Sequence, residues 1–379
     1  MADKENRNLF RLTRFILLKV PALFKFFARF RAADKRLLII KTDAIGDYIL
    51  FRNFIEILRT SEKYKDYRID LLANVLCRDI ALTYDSAFID NFIFEKPLTL
   101  YYKPWQTLQL GWRLFRNNYA IVLHPTYTRN FITDGLARLT AANEIIGFEG
   151  DTEGILPRYK IKTDKFYTGK IVLPETIRFE FERTRFFFEN ILNTSLLLEE
   201  TTLPLGENPR KGIMIFPGAG VTKREWEREK FLALIKLIKN QTAQPVYLAG
   251  GPSEIELGNY LESNLLAGEV TNLIGKTTLP QLIEMVSGAS LVIANDSGAI
   301  HIAAAVKTRS VCLLGGGHFE RFVPYPAYFK YAPVCVYERM DCYYCNWNCI
   351  YHPAGNEIYP CIGKISVYRA WQAVLPLLS

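Results

Sequence analysis

Two stretches far apart in the chain set carboxylates in the same local frame. One runs Lys41-Thr-Asp-Ala-Ile-Gly-Asp47-Tyr-Ile-Leu50, the other Asn295-Asp-Ser-Gly-Ala-Ile-His301-Ile-Ala-Ala-Ala305. Each follows an apolar run that reads as a strand and precedes a helical pattern. In open α/β sheets ligands bind beyond the carboxyl ends of strands, so each turn points an acid at a candidate site. Asp47 either takes a proton from an incoming hydroxyl as a general base, or it (or Asp43) only caps the helix. Gly46 beside it permits a backbone approach that a side chain would block. Asp296, Ser297 and Gly298 open a small-residue helix whose N-terminal end suits a phosphate or a sugar hydroxyl. Asp296 and Ser297 also suit a plain capping role. His301 either reaches the same site one turn later or is a core histidine.

A third turn, Phe216-Pro-Gly-Ala-Gly-Val-Thr-Lys-Arg-Glu-Trp226, also lies between a strand and a helix. Gly218, Thr222, Lys223 and Arg224 could surround phosphate oxygens with N–H groups and cations, the alternative being a solvated Lys-Arg pair. The Gly-Lys-Ser/Thr ending of a P-loop is absent. No Gly-x-Gly-x-x-Gly follows the first strand, which argues against a nicotinamide-binding domain. Late in the chain stand Cys342, Cys345, Cys349 and Cys361, four of seven cysteines. Their spacing is close to that of metal ligands, for structural zinc or an iron–sulfur cluster; the alternative is reduced packing cysteines.

The elements that must position these residues alternate βαβα, the sign of a parallel sheet. Strands are expected at 36–41, 68–73, 91–94, 119–123 and 144–147, and helices at 46–59, 108–116, 131–140 and 175–192. Periodicity fades over 194–210, and the pattern restarts with strands at 212–216, 245–249, 269–274, 291–294 and 309–314. Helices at 229–240, 253–265, 278–288 and 298–306 lie among them. At 379 residues the chain fits two domains. The divisions are a basic segment over 1–35, an N-terminal domain over 36–193, a linker over 194–210, a C-terminal domain over 211–362 and a final helix over 363–379.

The net charge of +8 is local. Residues 1–36 hold ten Lys/Arg and three Asp/Glu, while the remaining 343 hold 37 and 36. A general nucleic-acid surface is therefore not expected. The segment is interrupted by charge too often for a signal peptide or a membrane span. At about 100° per residue, Arg7, Arg11, Arg14, Lys25 and Arg29 share a stripe, with Phe and Leu over most of the rest. That pattern fits a helix lying in an anionic membrane interface, or one packed on the protein body. Pro21 is expected to kink or split it.

Together, the 41–50 and 295–305 motifs, Pro217-Gly-Ala-Gly with Trp226, and Leu248-Ala-Gly-Gly-Pro-Ser-Glu254 resemble glycosyltransferase family 9. These are the ADP-heptose:lipopolysaccharide heptosyltransferases and their relatives, and the resemblance runs from about residue 36 to the C-terminus. It implies an α/β GT-B fold: two Rossmann-like parallel-sheet domains facing a central cleft, here with an N-terminal amphipathic helix. It implies that Asp47 is the general base and Asp296 a donor-sugar contact. Arg224, with Lys223 adjacent, stands where the family's phosphate-binding lysine is found, and Glu254 matches the acid at the nucleotide ribose. Lys41 and Gly46 fall on the acceptor side.

Glycosyl transfer needs a base, stabilisation of an oxocarbenium-like transition state and charge neutralisation on the departing diphosphate. No Asp-x-Asp motif occurs, so Lys223, Arg224 and helix N-termini are expected to supply that charge without a metal or other cofactor. The expected activity is inverting transfer of heptose or a related sugar from a nucleotide-diphosphate donor to a lipid-linked glycan such as lipopolysaccharide core. The expected place is cytoplasmic, peripheral on the inner face of the cytoplasmic membrane. The alternatives are a nucleotide-sugar epimerase of similar architecture and a non-catalytic nucleotide-sugar-binding protein.

Overall fold

The computed structural model describes residues 2–32, 34–206 and 208–378. Met1, Ala33, Glu207 and Ser379, which fall in the expected basic segment, linker and final helix, lie outside the described residues, as do the side chains of 2–5. Two compact units emerge: Met1–Ile177 with Phe181–Leu197, and Arg178–Glu180 with Leu198–Ser379.

The first unit runs α1 (Ala2–Ala28), β1 (Asp34–Lys41), α2 (Ile45–Phe51), α3 (Asn53–Thr60), β2 (Arg68–Asn74), α4 (Arg78–Tyr84) and β3 (Asn91–Glu95). It continues through α5 (Pro104–Arg116), β4 (Tyr119–His124), α6 (Phe131–Leu139), β5 (Glu144–Phe148), α7 (Pro157–Thr163), β6 (Gly169–Ile171) and most of α8 (Glu180–Leu192). The second unit holds β7 (Ile213–Phe216), α9 (Arg228–Gln241), β8 (Val246–Leu248), α10 (Ile255–Ser263), β9 (Thr271–Asn272) and α11 (Leu279–Ser287). After these come β10 (Leu291–Asn295), α12 (Gly298–Ala305), β11 (Ser310–Leu313), β12 (Val334–Val336), α13 (Pro360–Gly363) and α14 (Val367–Val374).

The sheets run β3-β2-β1-β4-β5-β6 and β12-β11-β10-β7-β8-β9. All pairings in both are parallel. Counted from its own first strand, each has the order 3-2-1-4-5-6 of a doubly wound Rossmann-like domain. The central strands are buried on both faces, so Leu37–Ile40 and Leu291–Ala294 are unbroken apolar runs, not alternating ones. The three-residue edge strands β6 and β12 were not expected; half-exposed edges lack that signal. The helix expected over 46–59 is two helices meeting at Arg52, whose buried guanidinium pairs with Asp85 at 2.6 Å.

The N-terminal helix departs from expectation at Pro21, which neither splits nor ends it. Both halves are anchored, with Ile16 and Leu17 buried before the proline and Phe24 after it. These side chains belong to the same core as Leu38 and Ile40 of β1 and Leu136 of α6. Contact with α6 is close: a Cβ on Gly135 would lie 2.7 Å from Leu17 Cδ2. Core burial on both sides offsets the lost helical hydrogen bond, so tertiary packing overrides the local preference. Arg14 and Lys25 of the basic stripe also turn to the body, donating to Tyr159 Oη (3.5 Å) and the Ala142 carbonyl (3.1 Å).

The helix is thus part of the first unit's core, and removing it would expose that core. Leu17→Ala should destabilise the protein by about 3 kcal/mol, the usual cost of a buried Leu-sized cavity. Urea unfolding measures this, and a loss under about 0.5 kcal/mol would mean a loosely docked helix.

Candidate active site

In each sheet one pair of neighbouring strands sends its crossovers in opposite directions. These are β1 and β4 in the first unit, β7 and β10 in the second. The divergence opens a crevice at the strands' carboxyl ends, where doubly wound sheets bind ligands. Each aspartate motif lies at the crevice of its own unit.

In the first unit, buried Lys41 at the end of β1 pairs with Asp43, Nζ to Oδ2 at 2.9 Å. Thr126, just past the end of β4, donates its hydroxyl to the same oxygen at 2.8 Å. Burial works to raise the Asp43 carboxyl; the Lys41 charge and hydrogen bond, the Thr126 hydroxyl and His124 outweigh it and hold it below its ordinary value. The N-cap of α2 is Ala44, with no side-chain cap bond, so neither Asp43 nor Asp47 caps this helix. Asp47 stands in the first turn, where the helix dipole favours the carboxylate. Lys41, expected on the acceptor side, faces Asp43 from inside the fold.

In the second unit, Asn295 at the end of β10 stitches the crevice together. Its Nδ2 donates to the Pro217 carbonyl (2.6 Å), and its Oδ1 accepts from the Trp226 N–H (3.0 Å). This buried amide holds the glycine-rich turn after β7 against β10, with the fully buried Trp226 as its far anchor. Glu254 lies against that turn: Cβ atoms on Gly218 and Gly250 would fall 2.1 and 2.0 Å from its carboxyl group. Glycine at both positions makes room for the acid. Burial raises the Glu254 carboxyl, the Gly251 N–H lowers it and Glu225 raises it further, for a net upward shift.

Thr222 is exposed beside this turn, and Lys223 and Arg224 end up in different surroundings. Lys223 Nζ donates to the Pro353 carbonyl at 2.8 Å. The Arg224 guanidinium stacks over Trp347, 4.3 Å from the ring centroid. Trp347 also donates from Nε1 to His318 Nδ1 at 3.3 Å. Arg224 and His318 both act on Asp296, which burial pushes up to about 6 against the pull of these two groups. Ser297 is the N-cap of α12 but makes no side-chain cap bond. His301 is buried, its Nδ1 2.7 Å from Tyr325 Oη, and burial lowers it to about 4, so it is neutral at physiological pH.

The cysteine-rich segment covers this corner. Cys342, Cys345, Cys349 and Cys361 line one small cavity with Trp347 and Tyr359, and all seven cysteines are free thiols. Gly316 and Gly317 pass so close to Tyr343 and Trp347 that a Cβ on either would clash at 2.3 Å. Among the described residues, no group of three or more His, Cys, Asp or Glu side chains is arranged to hold a metal ion.

Four participants had no role assigned from the sequence. Asn295 left a signal, as a polar residue ending an apolar strand. His318 stands in a glycine-rich turn, Leu314-Gly-Gly-Gly-His318, that ends another strand on the same side; Thr126 and Trp347 left no signal, since their relevance needs the strand order and the fold of the cysteine-rich segment.

The partly buried Asp296 has a stability signature. Its folded-state value is raised, so its contribution is full below about pH 4 and lost as pH rises through about 6. Asp296→Asn should match the wild type near pH 4 and be the more stable protein above pH 6, measured by urea midpoints across pH. A variant less stable than the wild type at pH 8 would contradict this.

The model of glycosyltransferase family 9 (heptosyltransferase) matches residues 108–334. Lipooligosaccharide heptosyltransferase 2 of Campylobacter jejuni subsp. jejuni serotype O:6 is 30% identical over 156 residues, covering 37% of this chain. The chain spans about half of that relative's length, 48%. The solved E. coli ADP-heptose LPS heptosyltransferase II is similar in fold, with a TM-score of 0.67 at 18% identity, covering 90% of this chain and 98% of that one. So is dodecameric iron-containing heptosyltransferase TibC, solved in complex with ADP-D-β-D-heptose, at a TM-score of 0.53 and 14% identity, covering 92% and 78%. With two Rossmann-like parallel-sheet units and a family model over more than half its length, this GT-B chain belongs to glycosyltransferase family 9.

Proposed function

We propose that this chain is an inverting glycosyltransferase that moves heptose or a related sugar from a nucleotide-diphosphate donor to a lipid-linked glycan such as lipopolysaccharide core. The observation that carries the reading is the unlike state of the two aspartate turns. In the first unit Asp43 receives the Lys41 ammonium and the Thr126 hydroxyl, and Asp47 heads α2 without serving as its cap. In the second unit Asp296 lies within the influence of two cationic or ionisable groups, Arg224 and His318. The first arrangement suits a base and the second an anionic donor. The ADP-heptose bound by TibC lends support to a nucleoside-diphosphate donor.

In this reading Asp47 takes the proton of the acceptor hydroxyl as its oxygen bonds to the anomeric carbon and the bond to the diphosphate breaks. Arg224, Lys223, the N–H groups around Gly218 and the head of α12 with Ser297 and Gly298 receive the leaving diphosphate. Thr222 adds a hydroxyl, Glu254 binds the ribose, and Asp296 holds the donor sugar. Neutral His301 braces α12 through Tyr325, and Gly46 gives the acceptor room. No step is routed through a metal. The enzyme works at the inner face of the cytoplasmic membrane, where such acceptors are exposed. The segment rich in Phe and basic residues supports this placement, and no helix among the described residues is long and apolar enough to cross a membrane.

Asp47→Asn should lower transfer by about 10²–10⁴-fold, the range for a lost general base, and leave donor affinity unchanged. Radiolabelled transfer assays and calorimetric titration with ADP-heptose measure the two. Near-normal turnover would refute the assignment of the base.

For the cysteine-rich segment we read Cys342, Cys345, Cys349 and Cys361 as donors to a structural zinc or an iron–sulfur cluster outside the transfer chemistry. Four soft donors sharing one cavity support it; as described they do not form a ligand set, so binding requires the thiols to close on the ion. Anaerobically purified protein should carry bound zinc or iron, lost in Cys349→Ser. Fully stable, metal-free wild-type protein would sink this reading.

A further inference from the structure

The N-terminal helix is apolar on two sides. One side, with Ile16, Leu17 and Phe24, is buried in the core. The other holds Leu12, Phe15, Leu23 and Phe26, all exposed, and just past the helix end Phe30 is 76% exposed. An apolar face left outside after the helix has docked calls for a second partner.

That face does not end with α1. Across the groove, α5 shows Trp105 (70% exposed) and, two turns on, Trp112 (51%). Trp112 lies 5.8 Å from the Phe24 ring, and Phe24 stacks on Phe115 at 4.4 Å, so the indole sits at the seam of the two helices. The Arg31 guanidinium, 4.0 Å over the Phe115 ring, clamps the same seam. Beside it, the turn Pro97–Tyr102 exposes Leu98 and Tyr102.

The charges on this surface are predominantly positive, with Glu95 offsetting part of the charge of Arg113 and Lys103. Residues 6–31 and 96–118 contain no Asp or Glu. Arg7, Arg11, Lys19, Arg29, Lys96, Lys103, Arg113 and Arg116 of these stretches are all exposed. Exposed Phe and Trp amid an excess of Arg and Lys is the chemistry of a surface that enters the interface of an anionic bilayer. A second copy of the chain would bring the same cations against these, a repulsive match.

We propose that the membrane-docking surface is a composite of the outer face of α1, the turn Pro97–Tyr102 and the two tryptophans of α5, presented by the rigid first unit. It deepens the membrane placement proposed above and rests on it. The helix is then no detachable anchor. It is a core element whose far side forms half of a preformed interfacial face, and Trp105 and Trp112 supply much of the other half.

The full chain is mixed with vesicles of phosphatidylcholine alone or with phosphatidylglycerol, and binding is read by co-sedimentation and by quenching of Trp emission with brominated lipid. Wild type should bind the anionic vesicles and show quenching. Trp105→Ser with Trp112→Ser, and separately Phe15→Ser with Phe26→Ser, should each weaken binding about tenfold or more. Phe15 and Phe26 are exposed, so the unfolding curve of that pair should match the wild type; Trp112 packs on Phe24, so the tryptophan pair is compared under conditions where its unfolding curve shows it fully folded. Quenching should vanish in the tryptophan pair, which keeps Trp226, Trp347 and Trp371 as controls. Wild-type binding unaffected by the tryptophan pair would overturn the composite face and leave the membrane placement standing. No wild-type binding to anionic vesicles would overturn both. A lipid-free dimer dissolved by either pair would overturn the proposal in favour of a second copy.

Discussion

Both candidate sites depend on one constraint: where neighbouring parallel strands part company, the polar groups at their ends must find partners across the gap. Asn295 meets it in the second unit, joining the Pro217 carbonyl and the Trp226 N–H through one amide. Asp43 meets it in the first, drawing Lys41 and the Thr126 hydroxyl to one oxygen. A buried polar network of this kind costs free energy if any member is lost, which keeps the turns around it in a single arrangement. Asp47 and the head of α12 are placed by these stitches.

The second unit adds a layer that the first lacks. Its cysteine-rich segment lays Trp347 across Arg224 and against His318, and these two groups offset part of the burial that raises Asp296. Lys223 is bound to the same segment through Pro353. A segment far along the chain therefore sets the electrostatics of a turn more than a hundred residues earlier. This gives the four-cysteine cavity a structural meaning, because whatever stiffens it also fixes the cation next to the candidate donor carboxylate.

Burial also explains the glycines that matter most. Gly218 and Gly250 leave space for the Glu254 carboxyl group, and Gly316 and Gly317 for the aromatic rings of the cysteine-rich segment. In each case the missing Cβ is filled by a neighbour's side chain. Gly135 does the same for Leu17, which lets α1 pack into the first unit.

Much of this was legible in the chain. Apolar runs gave the central strands because a strand buried on both faces has no other composition, and the aspartate motifs marked the right strand ends. Family membership was legible from the same motifs. The edge strands β6 and β12 were not, since three half-exposed residues carry no pattern. Local reasoning also failed at Pro21, where core contacts on both sides outweigh a broken backbone bond. The sequence by itself determined which residues could act as acids, bases and cations and which strands would carry them. Only the tertiary structure decided their state: that Lys41 serves Asp43, that Arg224 rests on Trp347, and that His301 is shut inside. Such pairings depend on distance in space and on exclusion of water, and neither is a property of position along the chain.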